Sequence, residues 1–344
     1  MDPRRFRLAT WCRQPTPPES FEEAAKEAGA LAAFSGGFFL DSEPDIAPPS
    51  RRFDPVGLLI RKGVVISPPV LRRGSLLLDV NGHVAIQTLG MRDVVLHWGA
   101  AGALRLFEGT AALRRVSRPT VFHRAHGDRC PALDGPKVTI VGQQLLSVET
   151  GSDPVPIPLN GFVLALPAGD LWKRLFEELA ATGLVTYQLS ALPGLDGIVA
   201  AMAGGPILLS GGQLKMALAS EDFGPLAPPV AFSSDGPLCQ SLLPRLAVGL
   251  TPSRELVVVA VDGGNQEYSL GLSLRELAEL TRALGCIDSL NLDGSSSKRM
   301  LVGTDTVDLP CADKVTSTAA CPLRTPVQSG ILVLQKLDGD LPAP

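Results

Sequence analysis

Long apolar runs are missing from this chain of 344 residues. Nothing in it approaches the roughly 20 residues that a bilayer-spanning helix needs. The longest candidates, Leu256–Val261 and Ile331–Leu334, have the length of strands, so no membrane partner is expected. Charge is scarce too: only 19% of residues are Asp, Glu, Lys or Arg, and the formal net charge is −4. That balance gives no electrostatic reason to expect nucleic acid, and an anionic ligand would need a local cationic pocket. Cys-x-x-Cys spacing is absent among the six cysteines, which argues against a structural zinc or a redox motif. Cys311 and Cys321 could close a loop in an oxidising compartment. Reduced thiols are the expectation, because Arg4, Arg5 and Arg7 are not followed by the apolar stretch of a secretory signal. A cytoplasmic location is expected on the same ground.

Histidine is nearly as rare, with four residues and none in the C-terminal half. His123 and His126 are spaced like ligands on a helix, but Asp128, Cys130 and Pro131 follow in a loop-like context, so ordinary surface or turn residues are expected. Neither His-Glu-x-x-His nor Gly-x-Ser-x-Gly occurs. A serine nucleophile drawn from Ser295–Ser297 would therefore lack its usual base. No repeat or low-complexity tract is present.

An apolar content of 45% describes a globular chain. The fold expected is α+β, a large mixed, strand-rich sheet with a C-terminal βαβ unit and a few flanking helices. Its boundaries are a segment with a short helix over 1–29, one domain over 30–335, divisible into lobes at 30–165 and 166–335, and a tail over 336–344. Ser20-Phe-Glu-Glu23 is a capping box opening the first helix. From Gly57 to Gln87 come short apolar runs punctuated by Lys62-Gly63, Pro68-Pro69 and Asn81-Gly82, and Asn-Gly between such runs marks a hairpin. Asp170–Thr182 carries Leu171, Trp172, Leu175, Phe176 and Leu179 at the period of an amphipathic helix, with that face turned to a core.

The richest stretch begins at Pro244. Arg245–Leu250 and Glu255–Val261 read as two strands joined by Thr251–Arg254. With Leu250 paired to Glu255, Arg245 would share a sheet face with Asp262. Ser273-Leu-Arg-Glu276 opens a helix that Gly285 stops, and the strand Ile287–Leu292 follows. Strand, helical crossover and strand predict a βαβ unit with parallel strands, so Asp262 and Asp293 should emerge at one sheet edge, where open sheets bind ligands. Asp293 then runs into Gly294-Ser-Ser-Ser297, small residues that let a ligand approach backbone. A tight Asp-Gly turn with solvated serines would produce the same pattern, and so would a bulge for Ser35-Gly36-Gly37.

Taken together, Val261-Asp-Gly263, Ser269-x-Gly271, the helix Leu-Arg-Glu-Leu-Ala-Glu-Leu and Asn291-Leu-Asp-Gly294 resemble the phosphodiester glycosidase family. Ser35-Gly-Gly-Phe-Phe39, Gly204-Gly205-Pro206, Pro244-Arg245 and Arg324 resemble further blocks of it. Ser35 stands where the family has Asn, Gly264 where it has Arg, and Ser295 and Ser296 where it has Gly. The resemblance implies a hydrolase that cleaves the glycosidic bond of a sugar-1-phosphodiester, a small molecule or glycan. Asp293 and Asp262 would act as nucleophile or general base, and Arg245 would be catalytic beside them. Ser35, Gly36, Gly37, Gly205, Gly263, Gly294, Ser295, Ser296, Ser297 and Arg324 would bind substrate. Lys298 and Arg299 could stand in for the missing arginine or form a solvated basic pair. No cofactor is required, although Asp262, Asp293 and nearby carbonyls could hold Ca²⁺ or Mg²⁺. A non-catalytic sugar-phosphate binder or assembly protein on the same scaffold is the alternative. The oligomeric state is not indicated.

Overall fold

A computed structural model describes residues 6–13, 20–41, 43, 46, 49–100, 102–190, 195, 197–229, 240–264, 268–312 and 322–336. The fold is α+β and rich in strands, as expected. Among the described residues the strands are shared out over five sheets of three to five strands and a two-stranded ladder.

Two sheets position the edge where Asp293 emerges. In the first, β1 (Phe6–Cys12) pairs antiparallel with the C-terminal strand Ser329–Gln335, Phe6 opposite Gln335 and Cys12 opposite Ser329. β2 (Ala32–Ser35) flanks that strand on its other side and pairs in turn with Met300–Val302. The N-terminal segment is thus built into a sheet with the other end of the chain. Phe21, from α1 (Phe21–Glu27), packs on Trp11 of β1, and the capping box at Ser20 and Glu23 is formed.

The second sheet contains β3 (Ile207–Ser210), β4 (Arg245–Leu250), β5 (Leu256–Val261) and β6 (Asp288–Leu292), in the spatial order β3-β6-β4-β5. β4 runs antiparallel to both β5 and β6. β5 and β6 are therefore parallel, as the βαβ pattern requires, but β4 lies between them. The hairpin register differs from the sequence expectation by one residue: Leu250 pairs with Leu256 and Arg245 with Val261. Because side chains alternate, that slip moves Arg245 to the face opposite Asp262. Burying Leu256 rather than exposed Glu255 beside Leu250 is the evident cause.

The two faces of this sheet are covered differently. Leu246, Val248, Leu250, Leu290 and Leu292 point into a core shared with Phe34, Ile331 and Val333 of the first sheet and with Leu76 and Met202 of a neighbouring one. Ala247, Val257 and Val259 face α3 (Leu274–Ala283), which buries Leu274, Leu277 and Ala278 against them. Ser273 and Glu276 form its capping box. The amphipathic helix over Asp170–Thr182 occupies that span and buries Phe176 and Leu179 in a separate core.

Since α3 is held to the sheet by one apolar stripe, Leu277→Ala should lower the unfolding free energy by roughly 2–5 kcal/mol. Glu279→Ala, on the exposed side of the same helix, should change it by about 0.5 kcal/mol or less. Urea titration of the two variants beside the wild type checks the contrast.

Candidate functional site

The C-terminal ends of β5 and β6 and the N-terminal end of β4 meet at one edge, and a cleft of about 270 Å³ opens there. Asp293 and Arg245 both line it, with Gly294, Ser295, Ser296 and Ser297. Phe38, Phe39, Asp41 and Glu43 form another part of the wall, and Pro229 and Thr325 contribute as well.

Asp293 is held by backbone on one side and by a hydroxyl on the other. Its amide donates to the carbonyl of Gly36 at 2.8 Å. The Ser297 hydroxyl donates to Asp293 Oδ2 at 2.6 Å. Burial pushes the Asp293 carboxyl up to about 7, against the lowering effect of the Ser297 hydroxyl and the Gly294 amide, and the nearby charge of Asp41 adds to the rise. The turn that presents these groups is tight. A Cβ on Gly294 would come within 2.6 Å of the Pro244 carbonyl oxygen, so only glycine fits. Ser295 adopts φ 51°, the left-handed conformation that glycine takes without strain. Its amide donates to Pro244 O.

Arg245 is 2% exposed, and its Nε and Nη2 donate to the carbonyls of Leu272 (2.9 Å) and Ser241 (3.0 Å). It brings positive charge to the cleft with those two nitrogens already engaged, rather than as an open fork.

The other residues singled out in the sequence fall elsewhere. Asp262 is not part of the lining: Oδ1 takes Lys298 Nζ at 2.6 Å and the Leu309 amide at 2.9 Å. Lys298 also lies 3.4 Å from Asp308, and Arg324 is bound to the same Asp308, with Nη2 on its carbonyl at 2.9 Å and Nη1 3.5 Å from its carboxylate. Lys298 and Arg299 are 1% and 4% exposed. They are not a solvated pair: Arg299 reaches Glu22 at 2.9 Å and the carbonyls of Ser296, Lys298 and Thr325.

Ser35, Gly36 and Gly37 lie behind the cleft rather than in it. Ser35 Oγ donates to Ser297 O and accepts from the Arg299 amide. A Cβ on Gly36 would sit 2.6 Å from Met202 Cε and 2.8 Å from Leu292 Cδ1, so glycine there eases the approach to the Asp293 amide. Gly205 stands below β6, where its amide donates to Asn291 O and its carbonyl accepts from Asn291 Nδ2, both at 2.8 Å. Gly263 packs on Pro244 and Gly271. Among the described residues no three His, Cys, Asp or Glu side chains gather into a metal-ligating group. Cys321 lies outside the described residues, so a pairing with Cys311 is not described.

Several lining residues are not marked as site residues by the sequence, Phe38, Phe39, Asp41 and Glu43 among them. Phe38 and Phe39 sat inside a block whose glycines drew the attention. Asp41 and Glu43 follow in a stretch without periodicity, and nothing in the pattern marked them.

The raised carboxyl of Asp293 has a stability consequence. An ordinary Asp ionises near 3.8, whereas this one holds its proton in the folded state to about 7. The folded state therefore binds the proton more tightly, and stability is lost as pH rises from about 4 through about 7. Asp293→Asn should melt above the wild type at about pH 8, with the gap closing by about pH 5. Calorimetric melting across that range checks the sign.

Comparison with known proteins agrees with this architecture. A protein of Synechocystis superposes with a TM-score of 0.58 at 21% identity, over 98% of this chain and 58% of that one. The present chain thus spans less than two thirds of that relative's length. A Burkholderia pseudomallei protein gives a TM-score of 0.58 at 22% identity, over 97% of this chain and 72% of that one. The catalytic domain of zebrafish N-acetylglucosamine-1-phosphodiester alpha-N-acetylglucosaminidase, auto-inhibited by its pro-peptide, gives 0.50 at 13% identity, over 97% and 75%. At these identities the likeness is one of fold. No curated protein matches in sequence. The profile of the phosphodiester glycosidase family matches residues 135–334, more than half of the sequence and the whole of the β3–β6 sheet. On that match the chain belongs to the phosphodiester glycosidase family.

Proposed function

We propose that the Asp293 cleft hydrolyses a sugar-1-phosphodiester at the bond between the anomeric carbon and the bridging oxygen. The observation that carries this reading is a buried carboxyl poised near neutrality, in the same cleft as a buried guanidinium. Cleaving that bond builds oxocarbenium character on the sugar and leaves the electron pair on a phosphate monoester. A phosphate oxygen is a weak base, so it needs electrostatic stabilisation more than a proton. Arg245 supplies that charge from the cleft wall.

Asp293 acts as the general base. It takes a proton from water, whose oxygen bonds to the anomeric carbon as the phosphate monoester departs. A base works best with a pKa near the operating pH, and the position of this carboxyl meets that condition. Ser297 orients the carboxyl through Oδ2. Phe38 and Phe39 offer apolar surface to a sugar face. Asp262, tied to Lys298, is assigned a structural part.

Two measurements test the reading. Asp293→Asn, stably folded, should hydrolyse a sugar 1-(nitrophenyl phosphate) roughly 10²–10⁴-fold more slowly than the wild type. In heavy-oxygen water the label should enter the sugar and not the phosphate. Wild-type turnover by that variant, or label in the phosphate, defeats the assignment; tight binding of the diester without turnover by the wild type would favour the binder instead. Because the base must be ionised, kcat/KM should rise with pH through an apparent pKa of about 7. Ser297→Ala removes a hydrogen bond that favours the carboxylate, so the inflection should move upward by about one unit. An unmoved profile would show that Ser297 does not act through Asp293.

A further inference from the structure

A second group of charged side chains lies away from Asp293, around the first residue of the strand Arg73–Asp79. Arg73 is 1% exposed. Its guanidinium carbon stands 3.4 Å over the Phe223 ring, and Nη2 donates to the carbonyls of Asp222 (3.2 Å) and Pro228 (2.8 Å). Nε and Nη1 have no hydrogen-bond partner among the described residues. Arg72 next to it is half-buried, and its Nε is likewise without a partner there, although its backbone amide is held by Asp222 Oδ2 at 2.7 Å. His123, also 1% exposed, has both ring nitrogens unpartnered among the described residues. The nearest carboxylate oxygen, on Asp222, is 3.8 Å from Nε2, and the His126 ring is 3.9 Å away. Burial first, and then His126, Arg73 and Arg72, hold the His123 pKa well below its usual value, and Asp222 links the three residues through the Arg72 amide, Arg73 Nη2 and His123 Nε2.

Buried donors without acceptors are rare in folded proteins, because each forfeits the hydrogen bonds it had in water. Here several belong to residues grouped around Asp222. The negative groups nearby offset them only in part. Glu221 is turned to the backbone amides of Gly74 and Ile207, and burial pushes its carboxyl up. Glu108 is pushed up by burial and by Asp222. Asp222 remains the one strong opponent among these. We propose that Arg72, Arg73 and His123 form a second oxyanion-binding site, which takes a phosphoryl group. Donors on three separate side chains suit the three terminal oxygens of a tetrahedral anion better than the planar pairing that a carboxylate makes with one arginine. Arg72, His126 and Asp222 keep part of their surface open to solvent.

This site stands apart from the hydrolase reading but shares a wall with the cleft. Phe223, under Arg73, meets Phe38 edge-on with centroids 6.4 Å apart, and Phe38 lines the Asp293 cleft. Pro228 binds Arg73 while Pro229 lines the cleft.

Titration calorimetry with inorganic phosphate near neutral pH tests it on the full chain. Arg72→Met is the main variant, since that side chain is half-buried and its Nε has no hydrogen-bond partner among the described residues. His123→Phe, of similar shape, is the second, with circular dichroism confirming a native fold for each. The wild type should bind phosphate, and Arg72→Met should weaken that binding about tenfold or more. His123→Phe should also weaken it. Arg245→Gln, in the cleft, should leave the Arg72-dependent part of the binding in place. Absence of binding to the wild type at millimolar phosphate, or unchanged binding in Arg72→Met, overturns the proposal. Loss confined to Arg245→Gln would place the phosphate in the Asp293 cleft, which sinks this site and leaves the hydrolase reading intact.

Discussion

The bond from the Asp293 amide to the Gly36 carbonyl joins two sheets, and the cleft depends on it. β6 delivers Asp293 to the edge of its own sheet, but the first sheet supplies the acceptor that fixes where the chain goes next. A side chain on residue 36 would press on the ends of Met202 and Leu292, so glycine there eases that approach. Ser35 and the Ser297–Arg299 segment are tied by Ser35 Oγ, which donates to one backbone group and accepts from another. Gly37 packs on Ser329 of the C-terminal strand. The glycine pair thus works as a hinge-free joint between sheets. Its contribution to any reaction is indirect, through the position of one carboxyl.

Charge at this edge is sorted into two compartments. In one, Lys298 is sandwiched by Asp262 and Asp308, and Arg324 attaches to the same Asp308. Breaking such a buried set by removing one member is costly because it strands an uncompensated charge. In the other compartment Asp293 has a hydroxyl and backbone amides for neighbours, and its carboxyl rises. Two aspartates that end parallel strands at one edge thus acquire different chemistry from what sits beside them. Asp262 is paired with Lys298, whereas Asp293 has the Ser297 hydroxyl on its carboxyl and is left near neutrality.

Much of this was legible from residues alone. The helices over Asp170–Thr182 and after Ser273, the parallel direction of β5 and β6, and the shared edge all follow from periodicity, capping and alternation. Register was not legible to one residue, since apolar runs on both hairpin strands tolerate a slip, and that slip exchanged the partner of Arg245. β1 was missed because its partner strand lies at the far end of the sequence and its own residues are mixed in character. His123 was read as a surface residue from its loop-like neighbours, yet Thr120–His123 is a fully buried strand. Local context reports turns well and burial poorly, because burial is set by which distant strands close over a segment.

The serines after Asp293 set both the backbone and the hydrogen bonding of the turn. Ser295 keeps a backbone conformation that costs a side-chain-bearing residue on the order of 1 kcal/mol or more. Ser297 places a hydroxyl on the carboxyl. Without that hydroxyl, burial and Asp41 would push the carboxyl higher still, and less of it would be ionised at neutral pH. The strain at Ser295 and the desolvation of Asp293 both act against stability. A folded chain that retains both at one turn is best understood as holding that turn in place for its chemistry rather than for its packing.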